Sequence, residues 1–447
     1  MLYIIVKWIV RLTLNSYFRR IVMTGLHNIP DRGAVIFVAN HPSAFMDPMV
    51  VATCISRSTH FLAAAEFFGK GLKSWLYKKY LNMIPVYRPS TLSNEPHNNE
   101  TIFSHCFELL GNGGALLIFP EGNSITEKRI RKLKTGVARM ALGARDHLQN
   151  RGDVKIVPIG LNYNNPHRFQ SDLFINIGNP ISTNTYGVDH TEVIRLTNEV
   201  EERLKETVLH VQHQELDSLV KKVELILKNE SSIDEKSLPH KKEAEFAFHQ
   251  KVITSIQTLN KNYPQQIPEL ELRLDNYLNR IKKLGVSDGA IGDFSILITA
   301  LELFRLILAL PLFLMGVITN SIPYYATVYY FRRLNFFPRE GHEPPRKKIN
   351  QAFKGSIAMG IGMFFFIGCY LILAICFSLV AHNAWVGIFS LIVFYLSGLF
   401  TMRYLRWMIL LKQQLKLRQL LNNQKGLFKS LIIEREKIIE ELMLITK

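Results

Sequence analysis

The chain has 447 residues, enough for one large domain or two ordinary ones with a sizeable buried core. Its net charge of +17 points to an anionic partner. With 48% hydrophobic residues, massed near the C-terminus in runs too long for soluble helices, that partner is a membrane face and not nucleic acid. The four cysteines, Cys54, Cys106, Cys369 and Cys376, have neither a zinc spacing nor the density of a disulfide framework, so no metal and no cofactor are expected.

In chain order, residues 1–23 are expected to form an amphipathic helix on the membrane surface. Lys7, Arg11, Asn15 and Arg19 recur every four residues along an apolar stretch bearing Trp8, Tyr17 and Phe18. A helix packed on its own domain is the competing reading, but it does not account for a stripe of one charge sign. The apolar residues Leu2 to Val6 precede the first charge, so the basic opening of a secretory signal is missing and the following domain is expected in the cytoplasm.

Residues 24–200 read as α/β, with apolar runs at Ala34–Ala39, Ala115–Phe119, Val154–Leu161 and Leu173–Ile177 between helix-like stretches. Strands apolar along their whole length belong to a mainly parallel central sheet covered by helices on both faces. Three of these stretches lead into groups able to do chemistry.

The first run ends in Asn40-His41-Pro42-Ser43, with Asp47 shortly after. A carboxylate that orients an imidazole and stabilises its protonated form makes a general-base pair. Six residues apart on one helix, the two side chains would diverge by about 120°. His41 is therefore expected outside the helix, as the extended bias of a residue before proline also requires. Next, Met83 to Tyr87 is an apolar run ending in Arg88, whose planar fork suits a phosphate. The third stretch is Phe119-Pro120-Glu121-Gly122-Asn123-Ser124, followed by Arg129, Arg131, Lys132 and Lys134. Its carboxylate can accept hydrogen bonds from substrate hydroxyls, and its cations can hold a phosphate, although a solvated basic loop explains the charges as well.

Residues 201–295 turn charged and helical, interrupted by polar loops, and are expected to form helical hairpins. Residues 296–331 hold an uncharged run from Leu306 with Pro311, Asn320 and Pro323 inside it. A single span here would carry the basic loop 332–354, with Arg332, Arg333, Arg339, Arg346, Lys347 and Lys348, to the face opposite the α/β domain. That breaks the positive-inside rule, so this run is expected to dip in and return, with a single span as the alternative. Residues 355–402 contain no charge and divide at Ala381 to Ala384 into two expected transmembrane helices; 403–447 are a basic helical tail.

The order Asn-His with a downstream Asp, then Arg88, then Phe-Pro-Glu-Gly, then Ile156-Val157-Pro158-Ile159-Gly160-Leu161-Asn162-Tyr163 resembles the four-block pattern of the glycerolipid acyltransferase superfamily. The five residues between His41 and Asp47, where most members have four, resemble the fungal-type glycerol-3-phosphate/dihydroxyacetone-phosphate acyltransferases and their bacterial relatives. The resemblance implies an acyltransferase domain with His41 and Asp47 as the catalytic pair and Arg88, Glu121, Gly122 and Lys134 holding the acceptor. It also implies an acyl thioester donor, acyl-CoA or acyl-acyl carrier protein, and an acceptor that is glycerol-3-phosphate, dihydroxyacetone phosphate or lysophosphatidic acid. The setting would be the bacterial inner membrane or the endoplasmic reticulum. The sequence contains no GxSxG elbow for a covalent acyl-enzyme. A membrane scaffold that keeps the fold without catalysis is the reading of another class.

Overall fold

The first helix, α1 (Leu2–Tyr17), gives one face to the domain core: Leu14 and Tyr17 are buried there, with Phe18 just beyond its end. Its other face shows Ile4, Ile5 and Trp8 to the outside. Lys7 leaves the expected stripe; its ammonium donates to the Ile55 carbonyl at 2.6 Å. The helix also stops short of residue 23. Arg20–Thr24 is a strand, β1, because Ile21 and Val22 find a parallel partner in Leu173 and Phe174, and Arg19 and Arg20 both reach Asp172.

The computed structural model describes residues 2–65, 68, 71, 74–75, 77, 79, 81–86, 99–147, 152–211, 215–230, 241–292, 296–334, 336–337 and 349–446. The chain divides into two units, Met1–His210 with Leu334–Met359, and Val211–Arg333 with Gly360–Lys447.

The first unit continues with β2 (Ala34–Ala39), α2 (Met46–Cys54), β3 (Thr59–Ala64), β4 (Met83–Val86), α3 (Asn99–Gly111) and β5 (Ala115–Ile118). It then runs through α4 (Gly136–His147), β6 (Val154–Tyr163), β7 (Asp172–Ile177), β8 (Ile181–Ser182) and α5 (His190–Thr207). The sheet order is β1-β7-β6-β2-β5-β3-β4, with β8 paired to β6. Among the described residues the β6–β7 and β6–β8 pairings of this sheet are antiparallel and the others parallel. Along β2 the side chains alternate: Ile36 and Val38 join a core with α3, α4 and α5, while Val35, Phe37 and Ala39 join one with α1 and α2. All five are fully buried, which is why the strand is apolar at every position.

Part of the later chain belongs to this unit. Phe353 lies edge-on to Phe45 at 5.2 Å, Met359 enters the core beside α1, and Gly355 passes so close to the Pro166 carbonyl that any side chain would collide with it.

The second unit is helical: α6 (Leu216–Glu230), α7 (Lys241–Asn262), α8 (Gln266–Leu284), α9 (Asp288–Gly292), α10 (Ile296–Arg332), α11 (Lys354–Val380), α12 (Ala384–Asn423) and α13 (Lys425–Ile445), with α11 entering it at Gly360. Arg435 lies inside it, paired to the buried Asp288 at 3.0 Å. The expected dip and return at 296–331 does not occur, since α10 is one unbroken helix of 37 residues with both prolines inside. Each proline leaves the carbonyl four residues earlier, Ile307 or Thr319, without its N–H partner, a loss that long apolar helices tolerate. Among the described residues three stretches are long and apolar enough to cross a membrane, Leu301–Arg332, Gln351–Val380 and Ala384–Asn423. Arg339, Arg346, Lys347 and Lys348 of the expected basic loop lie outside the described residues.

Candidate active site

Strand order builds the site. Because β5 and β6 flank β2 and all three run parallel, the loops leaving β2 and β5 emerge side by side at the carboxyl edge of the sheet, where α/β folds bind ligands. β6 overshoots β2. Asn40 extends the ladder across the overhang, donating to the Leu161 carbonyl at 3.1 Å and accepting from its N–H at 2.7 Å.

His41 follows Asn40 outside any helix, and Asp47 sits in the first turn of α2. The sharp turn between them brings His41 Nδ1 to 2.8 Å from Asp47 Oδ2, which leaves Nε2 as the nitrogen able to take a proton. The imidazole is 19% exposed and the carboxylate 0%, so the pair has one open side, that of the base. Asp47 also accepts from the Ser43 N–H and the Tyr163 hydroxyl, each at 2.8 Å. These three hydrogen bonds fix the position of the buried carboxylate. Phe119 stacks on the imidazole with ring centres 4.0 Å apart and fixes its plane.

The turn is strained. Ala44 takes φ 40°, a left-handed conformation that costs a residue with a Cβ roughly 1–2 kcal/mol. Its N–H donates to Ser124 Oγ at 2.7 Å. Ser124 is thus one of four clamps between the two loops. The Ile125 N–H donates to the His41 carbonyl at 3.2 Å, Thr126 Oγ1 to the Pro42 carbonyl at 2.8 Å, and the His41 N–H to Glu121 Oε1 at 3.1 Å.

Glu121 is buried, and both its oxygens are engaged: Oε2 lies 2.7 Å from Arg131 Nε. Burial raises its pKa, and Arg131 and the His41 N–H oppose the rise. Arg131 is held further by Glu127 at 3.2 Å and by the Asn123 carbonyl at 2.5 Å. Gly122 turns with φ 74°, and the Lys134 ammonium lies over it, 2.6 Å from where a Cβ would stand. His41, Asp47, Glu121, Gly122 and Lys134 are therefore neighbours, while Arg88 lies outside the described residues. Tyr163, Phe119 and Ser124 escaped sequence reasoning as parts of the site. Only their positions within the motif blocks offered any signal.

Residues 20–162 match the family model described as Acyltransferase. Glycerol-3-phosphate O-acyltransferase 1 of Saccharomyces cerevisiae is 27% identical, over 40% of this chain and 34% of its own length. The chloroplastic 1-acyl-sn-glycerol-3-phosphate acyltransferase LPAT1 of Arabidopsis thaliana is 26% identical, over 32% of this chain and 36% of its own. The chain thus covers about a third of the length of these two relatives. Among solved structures, the 1-acyl-sn-glycerophosphate acyltransferase PlsC of Thermotoga maritima aligns over 45% of this chain and 78% of that one, at 22% identity and a TM-score of 0.33.

Proposed function

We propose that this chain, which carries an acyltransferase domain of the glycerolipid acyltransferase superfamily over residues 20–162, is a membrane-bound enzyme moving a fatty acyl group from an acyl thioester to glycerol-3-phosphate or dihydroxyacetone phosphate. The observation that carries the reading is the 2.8 Å bond between His41 Nδ1 and a fully buried Asp47, which leaves Nε2 free on the open side.

In this reading Nε2 takes the proton of the acceptor hydroxyl as its oxygen attacks the thioester carbonyl. The new C–O bond makes a tetrahedral oxyanion, which collapses as the C–S bond breaks, and the thiolate leaves with the proton returned from His41. Asp47 stabilises the imidazolium in between. Lys134 over Gly122, with Arg88, supplies positive charge for the acceptor's phosphate. Glu121 holds the backbone of His41 and orients Arg131. The donor is acyl-CoA or acyl-acyl carrier protein, which in this reading meets the site on the cytoplasmic face, and a chain carrying membrane-length apolar helices keeps the acylated product at the lipid surface, sparing it a passage through water at about 0.8 kcal/mol per methylene. The likeness to the plant enzyme supports a second reading, transfer to the free hydroxyl of lysophosphatidic acid.

The test is transfer of radiolabelled acyl groups from acyl-CoA by membranes holding wild type or His41→Ala at matched abundance, with each acceptor offered alone. Loss of at least about a hundredfold with glycerol-3-phosphate in the variant is expected. Use of lysophosphatidic acid alone would move the assignment to the second reading. Equal product from both chains would remove His41 as the base, and no product from either beyond that of membranes lacking the chain would leave a non-catalytic scaffold.

A further inference from the structure

We infer that Tyr163 is a positioning residue that sets the proton affinity of His41 through Asp47. The inference rests on the His41–Asp47 reading of the site and adds a third member to it.

Tyr163 ends β6, on the overhang beyond β2, and its backbone is fixed by pairing with Leu173. The ring is buried beside Phe18, with centres 5.7 Å apart. In that apolar setting its hydroxyl donates to Asp47 Oδ1 at 2.8 Å, while Oδ2 meets the imidazole at the same distance. The carboxylate is thus shared between a neutral donor and the base. Whatever charge the phenol draws toward Oδ1 is withheld from the imidazolium at Oδ2, so the strength of the first bond tunes the second.

A phenol suits the task because it stays protonated. Burial and the neighbouring Asp47 charge raise its pKa well above the usual tyrosine value. The other groups facing this cluster are Cys54 from α2, Tyr17 from α1, and Glu121 with Arg131 from the loop after β5. Burial raises the pKa of Cys54 to about 11 and that of Tyr17 above its ordinary value, so neither titrates near neutrality. Glu121 and Arg131 compensate one another.

The experiment follows kcat/KM against pH in membranes carrying the full chain, with whichever acceptor the wild type consumes, for wild type, Tyr163→Phe and a chain with 3-fluorotyrosine placed at position 163. Removing the hydroxyl should return charge to Oδ2, raise the proton affinity of His41 and move the acid limb up by about half a unit to one unit. The acceptor KM should hold. Fluorination acidifies the phenol, strengthens the donor and should move the limb down with the fold intact; it decides the matter alone if Tyr163→Phe does not accumulate. A purely structural tyrosine would lower abundance or heat resistance and leave the limb in place. A limb unmoved by both changes, or moved the same way by both, overturns the inference. His41→Ala run alongside separates the two levels: an inactive variant with unmoved limbs sinks only the role of Tyr163, whereas an active one sinks the reading beneath it.

Discussion

The turn from His41 to Asp47 holds its shape through Ser124, and a mutational cycle at Ser124 and Ala44 measures how much. Ser124→Ala removes the acceptor for the Ala44 N–H in a region where both residues are buried. A buried donor left unpaired costs about 1–3 kcal/mol. The left-handed Ala44 stores roughly 1–2 kcal/mol more that pushes the turn to reopen once the clamp is gone. Ser124→Ala should therefore destabilise the unit by about 2 kcal/mol. It should cut turnover roughly tenfold, because the same turn sets the distance between His41 and Asp47. Ala44→Gly removes the Cβ penalty but adds about 0.5–1 kcal/mol of backbone freedom to lose, so alone it is neutral or mildly stabilising. In the Ser124→Ala background it should recover part of both losses. The assay is residual folded protein after graded heating in detergent, together with turnover in membranes. A Ser124→Ala chain as stable and active as wild type, or an Ala44→Gly chain worse than Ser124→Ala, would refute the strain and clamp argument.

Gly122→Ala forces a left-handed backbone on a residue with a Cβ and displaces the flexible Lys134 ammonium. Stability should fall by about 1 kcal/mol, and the KM for the phosphate-bearing acceptor should rise several-fold; Lys134→Ala should reproduce the KM effect without the stability loss in steady-state kinetics and melting curves. Asp47→Asn keeps the shape of the site but removes the charge facing the imidazolium, so initial rates at matched abundance should show a turnover loss of about 10²–10⁴. His167 bonds to Thr126 Oγ1, and burial with the Lys354 charge lowers its pKa to about 4, below its unfolded value near 6.5. Its contribution is present above pH 6.5 and lost as the pH falls toward 4. Allowing for the ring's partial exposure it is about 1–2 kcal/mol, so His167→Gln should flatten the fall in melting temperature across that window.

β2, β5 and β6 could be read from the sequence because they are buried on both faces along most of their length and so form largely apolar runs. β1 could not. Its five residues continue the apolar and basic composition of α1, and only pairing with β7, some 150 residues on, makes them a strand. Local chemistry also announced the nearness of His41 and Asp47, since Pro42 and the helix start confine the turn. Tyr163 closes the fourth motif block, but its link to Asp47 was not legible, because it spans 116 residues and depends on β6 lying next to β2. Arg131 looked like one of several loose cations, whereas two carboxylates hold it. Pro311 and Pro323 suggested a break, but the long apolar helix runs on through both.

The 40 residues of α12 make a rod about 60 Å long, twice the depth of a hydrocarbon layer. Its uncharged portion ends at Met402, after about 28 Å, and the remainder carries Arg403, Arg406, Lys412 and Lys416. Gln414 and Lys416 fasten that outer half to the carbonyls of Ala290 and Leu284, at 3.2 and 3.3 Å. Seated in a bilayer, one stiff beam would have its foot in lipid and its head outside it. Tilting the foot by about 10° swings the head through about 5 Å, so the helices fastened there feel every change in how the bilayer seats the span.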